Sequence, residues 1–67
     1  VQGSFVLYKT NKTINISARS YGEINVQLIM EKLGGGGNKS AAGAQLANTT
    51  LRDGVNRLFK TIDEYFE

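Results

Sequence analysis

The stretch Gly34-Gly35-Gly36-Gly37-Asn38-Lys39-Ser40 separates an apolar-striped segment from the small residues Ala41-Ala42-Gly43-Ala44, and its reading decides the fold. Four consecutive residues without a Cβ can adopt positive φ and admit a close neighbour, at the largest entropic cost of any residue type. Such a run needs a purpose, and on the residues alone two stay open. Successive N–H groups can converge on an anion as a nest, or the glycines form a flexible connector.

Upstream of the run, Val26, Ile29, Met30 and Leu33 recur at helical spacing, with Ile24 and Leu28 widening the stripe, so a helix with an apolar inner face stops at Gly34. Met30 is expected as core filler. Ser20-Tyr21-Gly22-Glu23 has capping-box spacing, in which Ser and Glu each satisfy a free backbone donor, and it places the helix start there. Further back, Phe5-Val6-Leu7-Tyr8 is β-branched and aromatic, and Thr13-Ile14-Asn15-Ile16-Ser17-Ala18 alternates at period two. These two read as a hairpin turning near Asn11-Lys12, because Asn tolerates the left-handed conformation that tight turns demand. Ile14, Ile16 and Ala18 then face the core, and Asn15 and Ser17 the other side.

Downstream, Ala41 to Leu46 is expected to form a third strand suited to close packing. Thr50-Leu51-Arg52-Asp53 is a second cap-like signature. The helix it opens carries Leu51, Val55, Leu58, Phe59, Ile62 and Phe66 on one face. Gly54 inside it costs about 1 kcal/mol relative to Ala, which the stripe outweighs. The order is strand, strand, helix, strand, helix. It predicts an α+β fold, a small mixed β-sheet with both helices packed on one face, its second and third strands joined in parallel by a right-handed crossover. A three-stranded sheet has two edges, and an uncovered edge invites another strand.

With 67 residues, 40% of them hydrophobic, the chain makes one small domain that buries roughly 60% of its unfolded surface. It has no cysteine and no histidine, which removes disulfides, the usual zinc ligands and the commonest general base. A self-contained metalloenzyme is therefore not expected. The net charge of +2 suits a phosphate-bearing ligand but is far from the basic stripe of a dedicated nucleic-acid binder. No apolar run approaches the ~20 residues of a membrane span. The chain opens at Val1 on the approach to a strand, which reads as a piece of a longer protein.

Gly34 to Ser40 is not a P-loop: that pattern needs Gly where Asn38 stands, and it follows a strand and opens a helix. Four Asn-x-Ser/Thr sequons, at Asn11, Asn15, Asn38 and Asn48, read as a composition rich in Asn and Thr. Ser17-Ala18-Arg19-Ser20 places a guanidinium at the mouth of a helix whose free N–H groups and dipole favour an anion, where Arg19 could fork onto two phosphate oxygens. A solvated surface arginine is the plain alternative. Arg19 and the glycines lie at opposite ends of one helix, and they share a ligand only if the loop folds back along it or a partner chain contributes.

Taken together, Ile16-Ser17-Ala18-Arg19-Ser20, Glu23 to Gly37 and Ala42-Gly43-Ala44-Gln45 resemble the C-terminal, DHH-associated domain of DHH-family phosphodiesterases. The likeness is strongest to the membrane-anchored cyclic-di-AMP phosphodiesterases of Gram-positive bacteria, the GdpP type. It runs over most of the chain. Residues 1–67 are then a single domain, the C-terminal fragment of a DHH-associated domain from a longer protein. The resemblance implies a substrate-binding role, with Ser17, Arg19, Gly34, Gly35, Gly36 and Gly37 lining the cleft. In that family a separate DHH domain carries two manganese ions on Asp and His ligands, so no catalytic or metal-binding residue is expected here and the segment alone should be inactive. Asn38 stands where the family loop normally has His; Asn donates and accepts hydrogen bonds but carries no charge.

The partners implied are a cyclic dinucleotide or short oligonucleotide, the parent's DHH domain, and a second copy in a homodimer. The segment would be a cytoplasmic part of a membrane-anchored parent, without membrane contact of its own. Two other readings differ in class: an RNA-binding accessory domain of an exonuclease or oligoribonuclease, and a docking module without a ligand.

Overall fold

A computed structural model describes residues 2–67 and consists of four strands and two helices. In chain order these are β1 (Gly3–Thr10), β2 (Thr13–Ser20), α1 (Val26–Lys32), β3 (Gly36–Gly37), β4 (Ala41–Ala47) and α2 (Leu51–Tyr65). The sheet order is β1-β2-β4-β3, and all three neighbouring pairs are antiparallel.

The hairpin β1-β2 forms as its residues require. Asn11 takes φ 55° in the two-residue turn, and Ile14, Ile16 and Ala18 point inward at 0, 3 and 2% exposure. The α+β class holds, but the expected parallel pairing of the second and third strands does not: β2 and β4 run antiparallel. The cause lies in the glycines. α1 crosses over and delivers the chain into β3, which runs parallel to β2 because both are antiparallel to β4. A hairpin then turns β4 back into the gap between them. The crossover thus leads to a two-residue strand made of glycines, which propensity does not mark as a strand.

The start of α1 also moves. Ser20 is the last residue of β2 and its Oγ contacts only the Gly22 backbone, so the Ser20–Glu23 capping box does not form. Asn25 is the cap instead: its Oδ1 accepts from the N–H groups of Gln27 and Leu28 at 3.1 and 3.4 Å. At the other end Gly34 adopts φ 85°, Gly35 N–H donates to Met30 O (2.8 Å) and Gly34 N–H to Glu31 O (3.1 Å). This is the paired closure of a helix by a left-handed glycine. Leu28, assigned to the stripe, is half exposed.

For α2 the Thr50 cap forms, its Oγ1 accepting from Asp53 N–H at 3.1 Å. The buried line, however, is Gly54, Leu58 and Thr61, with Ile62 and Tyr65 packed beside it, while Leu51, Phe59 and Phe66 are 47, 61 and 63% exposed. Gly54 sets this rotation. A Cβ there would lie 2.9 Å from Ile14 Cγ2, so the helix rests its backbone on the centre of the core. Both helices cover one face of the sheet, over Ile14, Ile16, Ala18, Ala44 and Leu46; the other face is bare.

Candidate functional site

Cross-strand partners share a face, so the register of the sheet places the residues of the bare side in three rows. One row is Ser4, Arg19 and Ala41, the next Val6, Ser17, Gly43 and Gly36, the third Tyr8, Asn15 and Gln45. Asn38 extends the first row, because its N–H donates to Ala41 O at 2.8 Å. Ser17, Arg19, Gly36 and Asn38 are therefore brought to one surface. α1 does return the loop to the sheet that carries Arg19, but two strands away rather than beside it.

Between Ser17 and Gly36 stands Gly43, so this row presents bare backbone over two strands. At about 4.8 Å per strand, Ser17 and Gly36 lie roughly 10 Å apart with no side chain between them. Arg19 is exposed at the end of β2 and free to reach across the surface. Gly35 and Gly37 have a different part: a Cβ on Gly35 would sit 2.7 Å from Ala44 Cα, and one on Gly37 2.5 Å from Ala42 Cα. Around Gly36 nothing lies within 4 Å of an added Cβ. Of the four glycines, packing demands two and the helix end a third.

Asn38 holds the β3-β4 turn together. Its Oδ1 accepts from Ser40 N–H (3.0 Å), Ser40 Oγ–H (3.2 Å) and Ala41 N–H (2.9 Å), which leaves the Nδ2 group to face outward. It does so without a left-handed φ; among the described non-glycine residues only Asn11 and Asn48 have one.

The anion site expected at the mouth of α1 is not available. Val26 N–H donates to Lys39 O at 3.1 Å, and the Gln27 and Leu28 N–H groups are taken by Asn25, so the first turn has no donor to spare. An anion on this surface would meet Arg19 and loop backbone, not a helix dipole.

The sequence reading passed over Tyr8, Asn15, Gln45 and Gly43. A depression of about 490 Å³ lies among Tyr8, Asn15 and Gln45 on one side and Gly34, Gly35 and Gly43 on the other. Period two had put Asn15 on this side, but the parallel pairing assumed for the third strand gave no way to set Gln45 next to it. Among the described residues no three His, Cys, Asp or Glu side chains gather as a metal-binding group, and no helix is long and apolar enough to cross a membrane.

Comparison with known proteins adds the following. A family model described as the DHHA1 domain matches residues 3–67. The chain is 52% identical over 68 residues to the cyclic-di-AMP phosphodiesterase PdeA of Listeria monocytogenes, covering all of this chain and 10% of that protein. It is 48% identical, with the same coverage, to the cyclic-di-AMP phosphodiesterase GdpP of Geobacillus thermodenitrificans. Among solved structures, a pGpG-specific phosphodiesterase, PggH of Vibrio cholerae, shares the fold with a TM-score of 0.72 at 19% identity, over 97% of this chain and 24% of that one. The chain thus spans about a tenth of the length of the curated relatives it matches.

Proposed function

Because the chain belongs to the DHHA1 domain family, we propose that it is the substrate-binding part of a DHH phosphodiesterase, holding the phosphates and sugars of a cyclic dinucleotide, cyclic di-AMP first among them, on its bare sheet face. The observation that carries this reading is the row Ser17-Gly43-Gly36 beside Arg19 and Asn38: exposed polar groups and open backbone where a sheet face otherwise carries side chains. Each residue has a distinct part. Arg19 forks onto a phosphate with charge-assisted bonds. Ser17 Oγ and the Asn38 amide supply neutral bonds, and the glycines at 34 and 36 let the ligand approach the loop backbone. Gly35 and Gly37 hold β3 against β4 and so position that backbone.

Since no three His, Cys, Asp or Glu side chains gather among the described residues, we assign the hydrolytic step to a separate DHH domain, where metal-assisted water attack would take place. In that arrangement the present domain orients the phosphodiester and excludes water. We extend the proposal to a longer, membrane-anchored parent of which this domain is a cytoplasmic part.

The test is a titration of isotope-labelled chain with cyclic di-AMP, followed by backbone amide shifts. Perturbations should cluster at Ser17, Arg19, Gly34, Gly36 and Asn38, with a shallow salt dependence, because a dinucleotide neutralises few phosphates. Shifts confined to the helical face would refute the assignment of the surface. A steep salt slope with long single-stranded RNA and no response to the dinucleotide would favour an RNA-binding domain instead.

A further inference from the structure

α2 carries an apolar stripe that the core does not use. Beside its buried line of Gly54, Leu58 and Thr61, the residues Leu51, Val55, Phe59, Ile62 and Phe66 recur at helical spacing on one continuous face. Val55 and Ile62 are partly covered, whereas Leu51, Phe59 and Phe66 stand out into solvent. A fully covered phenylalanine buries about 150–250 Å², so two rings and a leucine exposed to this degree leave roughly 300 Å² of apolar surface, a size at which such a patch is often a contact site.

The charges of α2 indicate what fits there. Arg52, Arg57 and Lys60 lie in its first ten residues against the one carboxylate of Asp53, while Asp63, Glu64 and Glu67 close the chain with no base among them. A helix C-terminus is already partially negative, so these carboxylates work against the dipole of their own helix. Packing within the domain gives no reason for them, since all three are exposed. A second α2 running antiparallel does give one: it brings its bases and its positive N-terminus to the acidic end, and symmetry repeats the match at the other end.

We propose that this face is a homodimer interface in which α2 packs antiparallel against α2 of a second copy, around a two-fold axis close to Phe59. The inference does not depend on the substrate-binding reading, and it leaves the bare sheet face open. With the axis there, Leu51 lies against Phe66 of the second copy, Val55 lies against Ile62, and Phe59 meets its own counterpart. Arg52, Asn56, Asp63 and Glu67 repeat the spacing of the stripe one residue along and form the outer margin of the same seam. Arg52 thereby comes level with Glu67 of the second copy, and Asn56 with Asp63. A two-fold interface must be complementary to itself. This helix is so, with apolar residues placed evenly to either side of its middle and charges of opposite sign toward its two ends; a partner of different sequence would require no such symmetry. The area on each copy puts the interface at the low end for specific complexes, below about 1,200 Å² in total, so the dimer is weak and depends on concentration.

The experiment is sedimentation equilibrium of the chain from about 10 µM to about 1 mM, with amide spectra over the same range. The mass should rise from 7.3 kDa toward twice that value, and the concentration-dependent shifts should fall on Leu51, Val55, Phe59 and Phe66 while Ser17 and Gly36 stay in place. Phe59→Glu changes an exposed side chain, so it should leave the Tm of the dilute chain unchanged and weaken association roughly 100-fold or more, as loss of a central aromatic from both copies does. Arg52→Glu, and separately Asp63→Arg with Glu67→Arg, should each weaken it roughly 5- to 30-fold, since an exposed ion pair is worth up to about fivefold and the dimer holds two. An equimolar mixture of these two variants should regain the association of the unsubstituted chain, because each supplies the charge that the other lacks. A chain that stays monomeric at about 1 mM would overturn the proposal, as would a dimer that survives Phe59→Glu or shifts confined to β1 or the bare face. Loss of association in both charge variants with no recovery in the mixture would overturn it too.

Discussion

Gly36→Ala and Gly35→Ala put the same methyl group on neighbouring residues of one loop, and the structure gives them opposite outcomes. At Gly35 the new Cβ collides with the Gly43 carbonyl oxygen and lies 2.7 Å from both Cα and Cβ of Ala44. None of these is the end of a flexible side chain, so β3 must move off β4, straining the Gly36–Gly43 and Gly37–Ala42 pairings. Overpacking of this kind costs about 1–3 kcal/mol, and at about 4–8 °C per kcal/mol for a domain of this size Tm should fall by ~5–20 °C. At Gly36 nothing lies within 4 Å and φ is outside the left-handed region. Alanine there restricts the unfolded chain, a gain of about 0.4–1 kcal/mol, so Tm should hold or rise by a few degrees. The Cβ nevertheless stands on the bare face in the row of Ser17 and Gly43, and a ligand seated on that backbone is pushed away. Thermal melts with a dinucleotide titration on both variants separate the effects. Equal loss of Tm in the two would refute the described β3-β4 packing, and unchanged binding by Gly36→Ala would refute backbone contact at the loop.

Three further outcomes follow from the same surface. Arg19→Ala should weaken dinucleotide binding by about 1.5–3 kcal/mol, the range for a hydrogen bond to a charged group, and should barely move Tm because the residue is exposed; a large Tm loss with unchanged affinity would make it structural. Asn38→His should lower stability by about 1–2 kcal/mol, since an imidazole has at most one acceptor nitrogen for the three donors that Oδ1 now serves. In a full-length parent its kcat/KM should rise relative to the unsubstituted enzyme as pH falls through roughly 6.5 and the ring gains charge, and a ratio near one at every pH would remove Asn38 from the ligand. Gly54→Ala should destabilise despite a helix-propensity gain of about 1 kcal/mol, because the Cβ meets Ile14 Cγ2 at 2.9 Å in the centre of the core; a higher Tm would show that α2 can lift without loss.

The elements that could be read from the sequence are those whose signal is local. The hairpin turn needed one left-handed residue and Asn11 supplies it; Thr50 had its Asp53 donor three residues on; Ile14, Ile16 and Ala18 alternate because one face of β2 is buried. What failed depends on partners distant in sequence. Asn25 displaces Ser20 as the cap of α1 because the β2 ladder consumes Ser20, whose N–H donates to Ser40 O at 2.9 Å. The phase of α2 is set by Gly54 and Thr61, which no apolar pattern counts as core, and Leu51, Phe59 and Phe66 are left outside as a result. The asparagines that spell sequons have conformational work: Asn11 and Asn48 take positive φ, Asn38 ties a turn, and Asn15 is buried in an amide ladder. For the site, the resemblance grouped Ser17 with Arg19, while the strand pattern ended at Ala18 and set Arg19 at a helix mouth; β2 in fact runs to Ser20 and carries both residues on its bare face. The sequence could not place Gln45 against Asn15, which requires the register of β4.

The glycine run shows why its two readings were balanced in the sequence. Four identical letters answer separate demands: a left-handed helix end at Gly34, the absence of a Cβ against β4 at Gly35 and Gly37, and at Gly36 neither of these. A connector needs only slack, yet three of these residues are fixed by geometry that slack does not require. An anion nest needs successive N–H groups turned to one side, yet Gly35 N–H is spent on Met30 O. The run is therefore a strand edge whose glycines let it sit flush against another strand, and the remaining freedom is concentrated in one residue. Gly36 has no packing reason to be glycine and loses the most entropy of any residue type on ordering. If the chain keeps glycine there for a function, that function acts on the bare face beside Gly43 and Ser17, and a single methyl group is enough to test it.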